Sequence, residues 1–116
     1  MTSLNQNRST LWLLRTLEQG QNRDEDARLV NLCKKGDMDA FEALVRKHQK
    51  RVFNVAYRMV NSPDDADDVV QDAFISAYRA KDRFRGDSQV TTWLYRITVN
   101  AALMRIRKDK RRVQMT

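Results

Sequence analysis

Three glycines and one proline are all that interrupt these 116 residues, standing at positions 20, 36, 86 and 63. Glycine and proline are the strongest punctuators of local structure, so long segments free of both predict long helices joined by short connections. The expected fold is all-α, a compact bundle of about four helices with a short loop before the last.

The apolar pattern places the helices. Residues 26–35 carry Ala27, Val30 and Cys33 on one side and stop at Gly36, a residue suited to a left-handed C-cap, with Asp37 ready as the next N-cap. Over 38–60, Phe41, Leu44, Val45, His48, Val52, Ala56, Met59 and Val60 recur at steps of three and four, while Arg46, Lys47, Lys50 and Arg51 fill the other side. The third helix opens with Ser62 as N-cap, Pro63 at the first helical position, and Asp64 and Asp65 at the positive end of the dipole. Its stripe is Ala66, Val69, Val70, Ala73, Phe74, Ala77 and Tyr78. In the last helix Val90, Trp93, Leu94, Ile97, Ala101 and Met104 form the core side, flanked by Arg96, Asn100, Leu103 and Arg107, with Trp93 at the boundary. A short helix over 9–18, bearing Leu11, Leu14 and Trp12 or Leu13, stands before a polar linker at 19–24. The expected organisation is an extension at 1–25, a domain at 26–108, and the start of a linker at 109–116.

Charge is distributed unevenly along this frame. Residues 61–80 hold five acidic and one basic side chain, whereas residues 81–116 hold ten basic and three acidic, within an overall net charge of +7. At about 100° per residue, Asp64, Asp65, Asp68, Gln71 and Asp72 gather within roughly a third of the third helix, opposite its apolar stripe. Such a face is either solvated surface or a dock for a basic protein. The basic segment attracts phosphates.

One cysteine and one histidine cannot make a disulfide framework or a zinc site within the chain. Cys33 and His48 both fall on apolar faces and read as core residues. The apolar run 11–14 is too short to span a bilayer or to serve as a signal-peptide core. These features suit a cytoplasmic protein with no metal, cofactor or inserted membrane segment. The five aspartates share one convex face without a neighbouring His or Cys, which argues against a metal-dependent nuclease and against an enzyme in general.

Aromatics and arginines interleave from Tyr78 to Arg96, the combination that stacks unpaired bases and holds phosphates. Phe84, between Arg83 and Arg85 and two residues before Gly86, either plugs the core or walls a pocket for a flipped base. Asn100 gains nothing from helix propensity, and its amide suits paired hydrogen bonds to a base edge as well as it suits a polar flank.

The run DDADDVVQDAFISAYRA followed by FRGDSQVTTWLYRITVNAA resembles conserved region 2 of bacterial sigma-70-family factors, in particular the extracytoplasmic-function group related to sigma-E. The likeness covers about residues 27–108. It implies an all-helical domain that binds RNA polymerase core and recognises and melts the promoter −10 element. By this resemblance Asp68, Gln71 and Asp72 meet the clamp helices of the beta-prime subunit. Phe84 and Asn100 take a non-template-strand base, Arg83, Arg85 and Arg96 hold phosphates, and Trp93 either assists strand separation or packs in the core. An anti-sigma protein is a further expected partner. A second domain that reads the −35 element would follow in such factors, so the chain is expected to be an excised domain or a short form. The alternative is a helical adaptor whose acidic face is its sole site.

Overall fold

A computed structural model describes residues 8–86 and 88–115. The expected extension is therefore described only from residue 8, and Asp87 of the loop lies outside the described residues. Four helices follow one another: α1 (Arg8–Lys34), α2 (Met38–Val60), α3 (Pro63–Ala80) and α4 (Val90–Met115), with a single 3₁₀ turn, Lys81–Arg83, after α3.

The connections are made by the residues the sequence offers for them. Gly36 has φ +91°, and the Asp37 side chain accepts a hydrogen bond from the Ala40 amide at 3.1 Å to start α2. Asn61 closes α2 in the left-handed conformation, its amide donating to the Tyr57 carbonyl at 2.8 Å. Ser62 Oγ then accepts from the Asp65 amide at 3.3 Å, with Pro63 at the first helical position.

Burial follows the predicted stripes on α2 and α3, with Leu44, His48, Val52 and Ala56 buried on one, joined by Ala40, and Ala66, Val69, Ala73, Phe74 and Ala77 on the other, while Phe41, Val45, Met59 and Val60 are half-buried. Ala56, Ala66 and Ala102 expose nothing, so α2, α3 and α4 are each approached closely at an alanine. The stripe of α4 differs from expectation. Thr98 and Ala102 are buried, while Met104 is 67% exposed. A hydroxyl can enter this core because Thr98 Oγ1 donates to its own helix, at the Leu94 carbonyl 2.7 Å away. Since α4 packs on both α2 and α3, its buried arc turns toward the Thr98 and Ala102 side, leaving Met104 outside.

A polar brace joins α1 to α2. Asp26 and His48 are both buried, with His48 Nε2 3.1 Å from Asp26 Oδ2, and Lys47 Nζ lies 2.8 Å from Asp26 Oδ1. Burial opposes the Lys47 charge, but the carboxylates of Asp26 and Glu25 outweigh it and lift its pKa above the ordinary lysine value. His48 is thus a core residue facing a carboxylate, as its apolar position suggests.

Two segments expected to be irregular are helical. Residues 19–24 continue α1 without a break. An isolated ten-residue helix is marginal because nucleation is costly, but here the later turns of α1 are already packed on α2 and the helix only has to propagate. One glycine costs about 1 kcal/mol in such a run and does not stop it. The basic tail likewise extends α4 to Met115. Arginine and lysine are good helix formers, and Asp109 stands 3.6 Å from Arg105 and 4.0 Å from Arg112. Leu11, Trp12, Leu13, Leu14 and Leu17 find no partner surface in the bundle, all being 47–65% exposed.

Gly20 has nothing within 4 Å of where a Cβ would stand. Gly20→Ala should therefore strengthen the early turns of α1 by about 1 kcal/mol, seen as roughly fivefold slower amide exchange around residues 16–24. Slower exchange would be absent if this stretch were a linker. The Cys33 thiol is 2% exposed, and burial, with Asp37 nearby, pushes its pKa up. It should stay protonated at neutral pH and react with alkylating reagents no faster than the core opens.

Candidate nucleic-acid and protein interface

The 3₁₀ turn carries the chain from α3 to a loop whose centre is tied down from three sides. The Phe84 ring is 7% exposed and lies 5.0 Å from the Trp93 ring, tilted by 49°. Its amide donates to the Lys81 carbonyl at 3.2 Å, and its own carbonyl accepts a hydrogen bond from Lys34 Nζ at the end of α1. Lys81 in turn sits 3.9 Å over the Tyr78 ring, which meets Phe41 edge-on at 5.0 Å. Of the two roles open to Phe84 on sequence, the structure places the ring inside the core. Gly86 supplies the positive φ, +81°, that lets the chain turn above it.

The flanking cations face outward. Arg83 and Arg85 are exposed on either side of Phe84, Arg96 is exposed on α4, Trp93 is half-buried and Asn100 is exposed. The loop is thus a fixed platform with a cation on each shoulder, and α4 carries a third cation and an amide beside it. Cationic and hydrogen-bonding groups held at fixed spacing can bind phosphates and base edges, with half-buried Trp93 offering part of a ring for stacking.

Asp68, Gln71 and Asp72 are exposed on α3, on the face opposite its buried stripe. This face is not wholly solvated. Arg105 of α4 reaches across, with one nitrogen 2.9 Å from Asp65 Oδ1 and another 3.0 Å from Asp68 Oδ2. The hydrogen bond to Asp68, helped by Asp65 and Asp109, raises the guanidinium pKa above its ordinary value, so Arg105 is always charged. No sequence signal points to this contact, which joins residues 37 and 40 positions apart.

The acidic and basic faces also share a border. A groove of about 530 Å³ between α3 and α4 is lined by Asp72 and Arg79 on one wall and Asn100 and Arg105 on the other. Asp72 and Asn100, expected to serve different partners, therefore line one depression. Among the described residues no group of His, Cys, Asp or Glu is arranged to hold a metal ion, and no helix is long and apolar enough to cross a membrane.

Comparison with known proteins bears on the same segment. The family model for sigma-70 region 2 matches residues 44–112. The chain is 46% identical over 80 residues to the RNA polymerase sigma-H factor of Pseudomonas aeruginosa, covering 69% of this chain and 42% of that protein. It is 54% identical over 77 residues to the ECF RNA polymerase sigma-E factor of Escherichia coli strain K12, covering 66% of this chain and 40% of that one. The match thus spans about two fifths of the length of these relatives. Among solved structures, an engineered region 2 of sigmaE in complex with GTAAAA superposes with a TM-score of 0.71 at 46% identity, covering 75% of this chain and 90% of that one. CnrH in complex with the cytosolic domain of CnrY gives a TM-score of 0.63 at 35% identity, covering 67% and 51%.

If Lys34 fixes the height of the loop, Lys34→Met should speed amide exchange at residues 81–86 several-fold while leaving exchange in the α2 core unchanged. Equal acceleration in both would show that the contact holds the whole bundle instead.

Proposed function

Because this chain belongs to the sigma-70 region 2 family, with the loop and helix flank described above, we propose that it binds RNA polymerase core and captures the non-template strand of the promoter −10 element. The observation that carries this reading is the pairing, on adjacent helices, of an exposed acidic face with an exposed arginine-rich loop and flank. Binding, with no covalent chemistry, does the work.

In this reading Asp68, Gln71 and Asp72 dock on the clamp helices of the beta-prime subunit, where complementary charge fixes orientation. Docking holds α4 and its loop against the promoter. Arg83, Arg85 and Arg96 take backbone phosphates and Asn100 a base edge. Phe84, with little of its ring exposed, sets the loop from beneath together with Trp93. Opening duplex costs a few kcal/mol per unstacked step, and each stacked base returns about 1–3 kcal/mol. The chain alone should bind single strands weakly and open duplex poorly, and docking on polymerase supplies the missing positioning.

Two observations support the partners. The sigmaE region 2 neighbour was solved with the oligonucleotide GTAAAA, and CnrH was solved with a partner's cytosolic domain. By analogy an anti-sigma protein is a further partner of this chain, and the cytoplasm, where polymerase acts, is its place of work. The adaptor alternative gives no role to the arginines around Phe84 and is not favoured.

Asp72 and Asn100 separate the two activities, since both are exposed and neither is part of the core. Asp72→Arg should lower affinity for polymerase core by about tenfold or more without weakening single-strand binding, since it adds a cation beside Asn100. Asn100→Ala should weaken binding to −10 oligonucleotides and leave polymerase affinity intact. Pull-down of core enzyme and fluorescence anisotropy with labelled strands measure the two. A shared loss in both variants would refute the division between the faces.

A further inference from the structure

From Leu11 to Glu25 every residue of α1 is exposed, and burial against the bundle begins only at Asp26. This overhang is about 22 Å long, and the sites assigned above make no use of it. Its leucines gather on one side. At about 100° per residue Leu13, Leu14 and Leu17 lie within about 100° of one another, with Leu11 at their margin, while Trp12 stands on the far side. The four leucines are each 47–64% exposed. A helical stretch this short is marginal in water by itself, and an apolar stripe is what a packed helix buries.

The stripe points away from the chain's own bundle. Asp26, Leu29, Val30 and Cys33, which are buried in the later turns, fall on the opposite side of α1 by the same count. A second helix can therefore lie along the stripe without meeting the bundle.

The charges beside the stripe decide which helix fits. Glu18 lies on its Leu11 flank, and Arg15 stands about 60° further round the same flank. Both are exposed, and among the described residues neither has an ion pair. When two identical helices pack antiparallel about a two-fold axis, like flanks face each other and every contact occurs twice. In the register that sets Arg15 of one copy opposite Glu18 of the other, Leu13 falls opposite Gly20. Nothing stands within 4 Å of a Cβ position there, so a neighbouring helix can approach closely. The same register brings the start of each α1 opposite Glu25 of the other copy, so each overhang just reaches the edge of the other bundle.

A bilayer is the poorer occupant. Helices that lie on anionic lipid set a strongly cationic polar face against the apolar one. Here Glu18 and Asp24 stand beside or in line with the leucines, and Arg15 and Arg23 are turned away from them.

We propose that two copies of this chain associate antiparallel through the overhanging turns of α1, with the leucines packed between them and Arg15 of each copy paired with Glu18 of the other. This does not rest on the strand-binding function proposed above. Neither α3 nor the arginine-rich loop enters the interface, so both copies keep their two charged faces. A contact of this length is at the small end for proteins, below about 1,200 Å², and exchange between monomer and dimer is expected at micromolar concentrations.

The test is sedimentation velocity on the full chain without nucleic acid, from low micromolar to near-millimolar concentration. The sedimentation coefficient should rise toward that of a dimer, and Leu17→Lys should hold the chain monomeric throughout. Because Leu17 touches no part of the core, that variant should keep the thermal midpoint of the bundle. Arg15→Glu and Glu18→Arg should each weaken self-association about tenfold. An equimolar mixture of the two should associate again, since every cross-pair is then of opposite sign. A chain that stays monomeric at every concentration would overturn the proposal, as would self-association that survives Leu17→Lys. A mixture as weak as either variant alone would overturn the antiparallel charge pairing. A monomeric chain that instead binds phosphatidylglycerol vesicles, and loses them in Leu17→Lys, would assign the stripe to a lipid surface and overturn the dimer.

Discussion

Close approach of helices at small residues is the constraint on which the rest of this structure depends. A methyl group loses all contact with solvent only where a neighbouring element comes down on it, and Ala56, Ala66 and Ala102 supply one such point on each of α2, α3 and α4. Around these points Leu44, Val69, Phe74 and Leu94 fill the core. Phe84 enters from the loop and closes one end against Trp93. The loop is consequently part of the packing, and its exposed arginines inherit the rigidity of the core.

Rigidity of this kind explains how so small a domain can present opposite charges without collapse of one onto the other. The basic tail is kept helical, so its side chains are distributed around α4, and Arg105 pairs with Asp65 and Asp68 of α3. The Arg105 ion pairs tie the two charged helices together at their border. The α3–α4 groove beneath it puts Asp72 and Asn100 within one depression, so a ligand on either face lies next to the other.

Local signals in the sequence were decisive for the frame. Asp37, Ser62, Pro63 and Gly36 act on atoms within a few residues of themselves, and each makes the cap or turn its chemistry predicts. The stripes of α2 and α3 were legible for the same reason, being a period within one helix. What the sequence hid is set by distance along the chain. Lys34 holds the carbonyl of a residue 50 positions away, Arg105 meets aspartates 37 and 40 positions away, and neither has a local signature. The helicity of residues 19–24 was also hidden, because it depends on turns already anchored by tertiary packing, whereas propensity judged the segment alone. Phe84 was open between two roles for a related reason: whether a loop aromatic turns inward depends on the space left by Trp93 and the helix ends. The assigned site residues are all on the surface or its margin except this one, and their grouping emerged from motif spacing more than from any single residue type.

The Arg105 contact also alters what an approaching molecule experiences before it touches. Of the five aspartates on α3, Asp65 and Asp68 are neutralised in part, and Asp64, Asp67 and Asp72 have no ion pair among the described residues. The chain as a whole carries +7. Beyond a Debye length, about 8 Å at physiological ionic strength, both the net positive charge and the acidic patch are largely screened. Attraction begins only inside that distance and only in front of α3. Encounter with a basic partner is therefore selected for orientation at close range, where the unpaired aspartates of α3 face it.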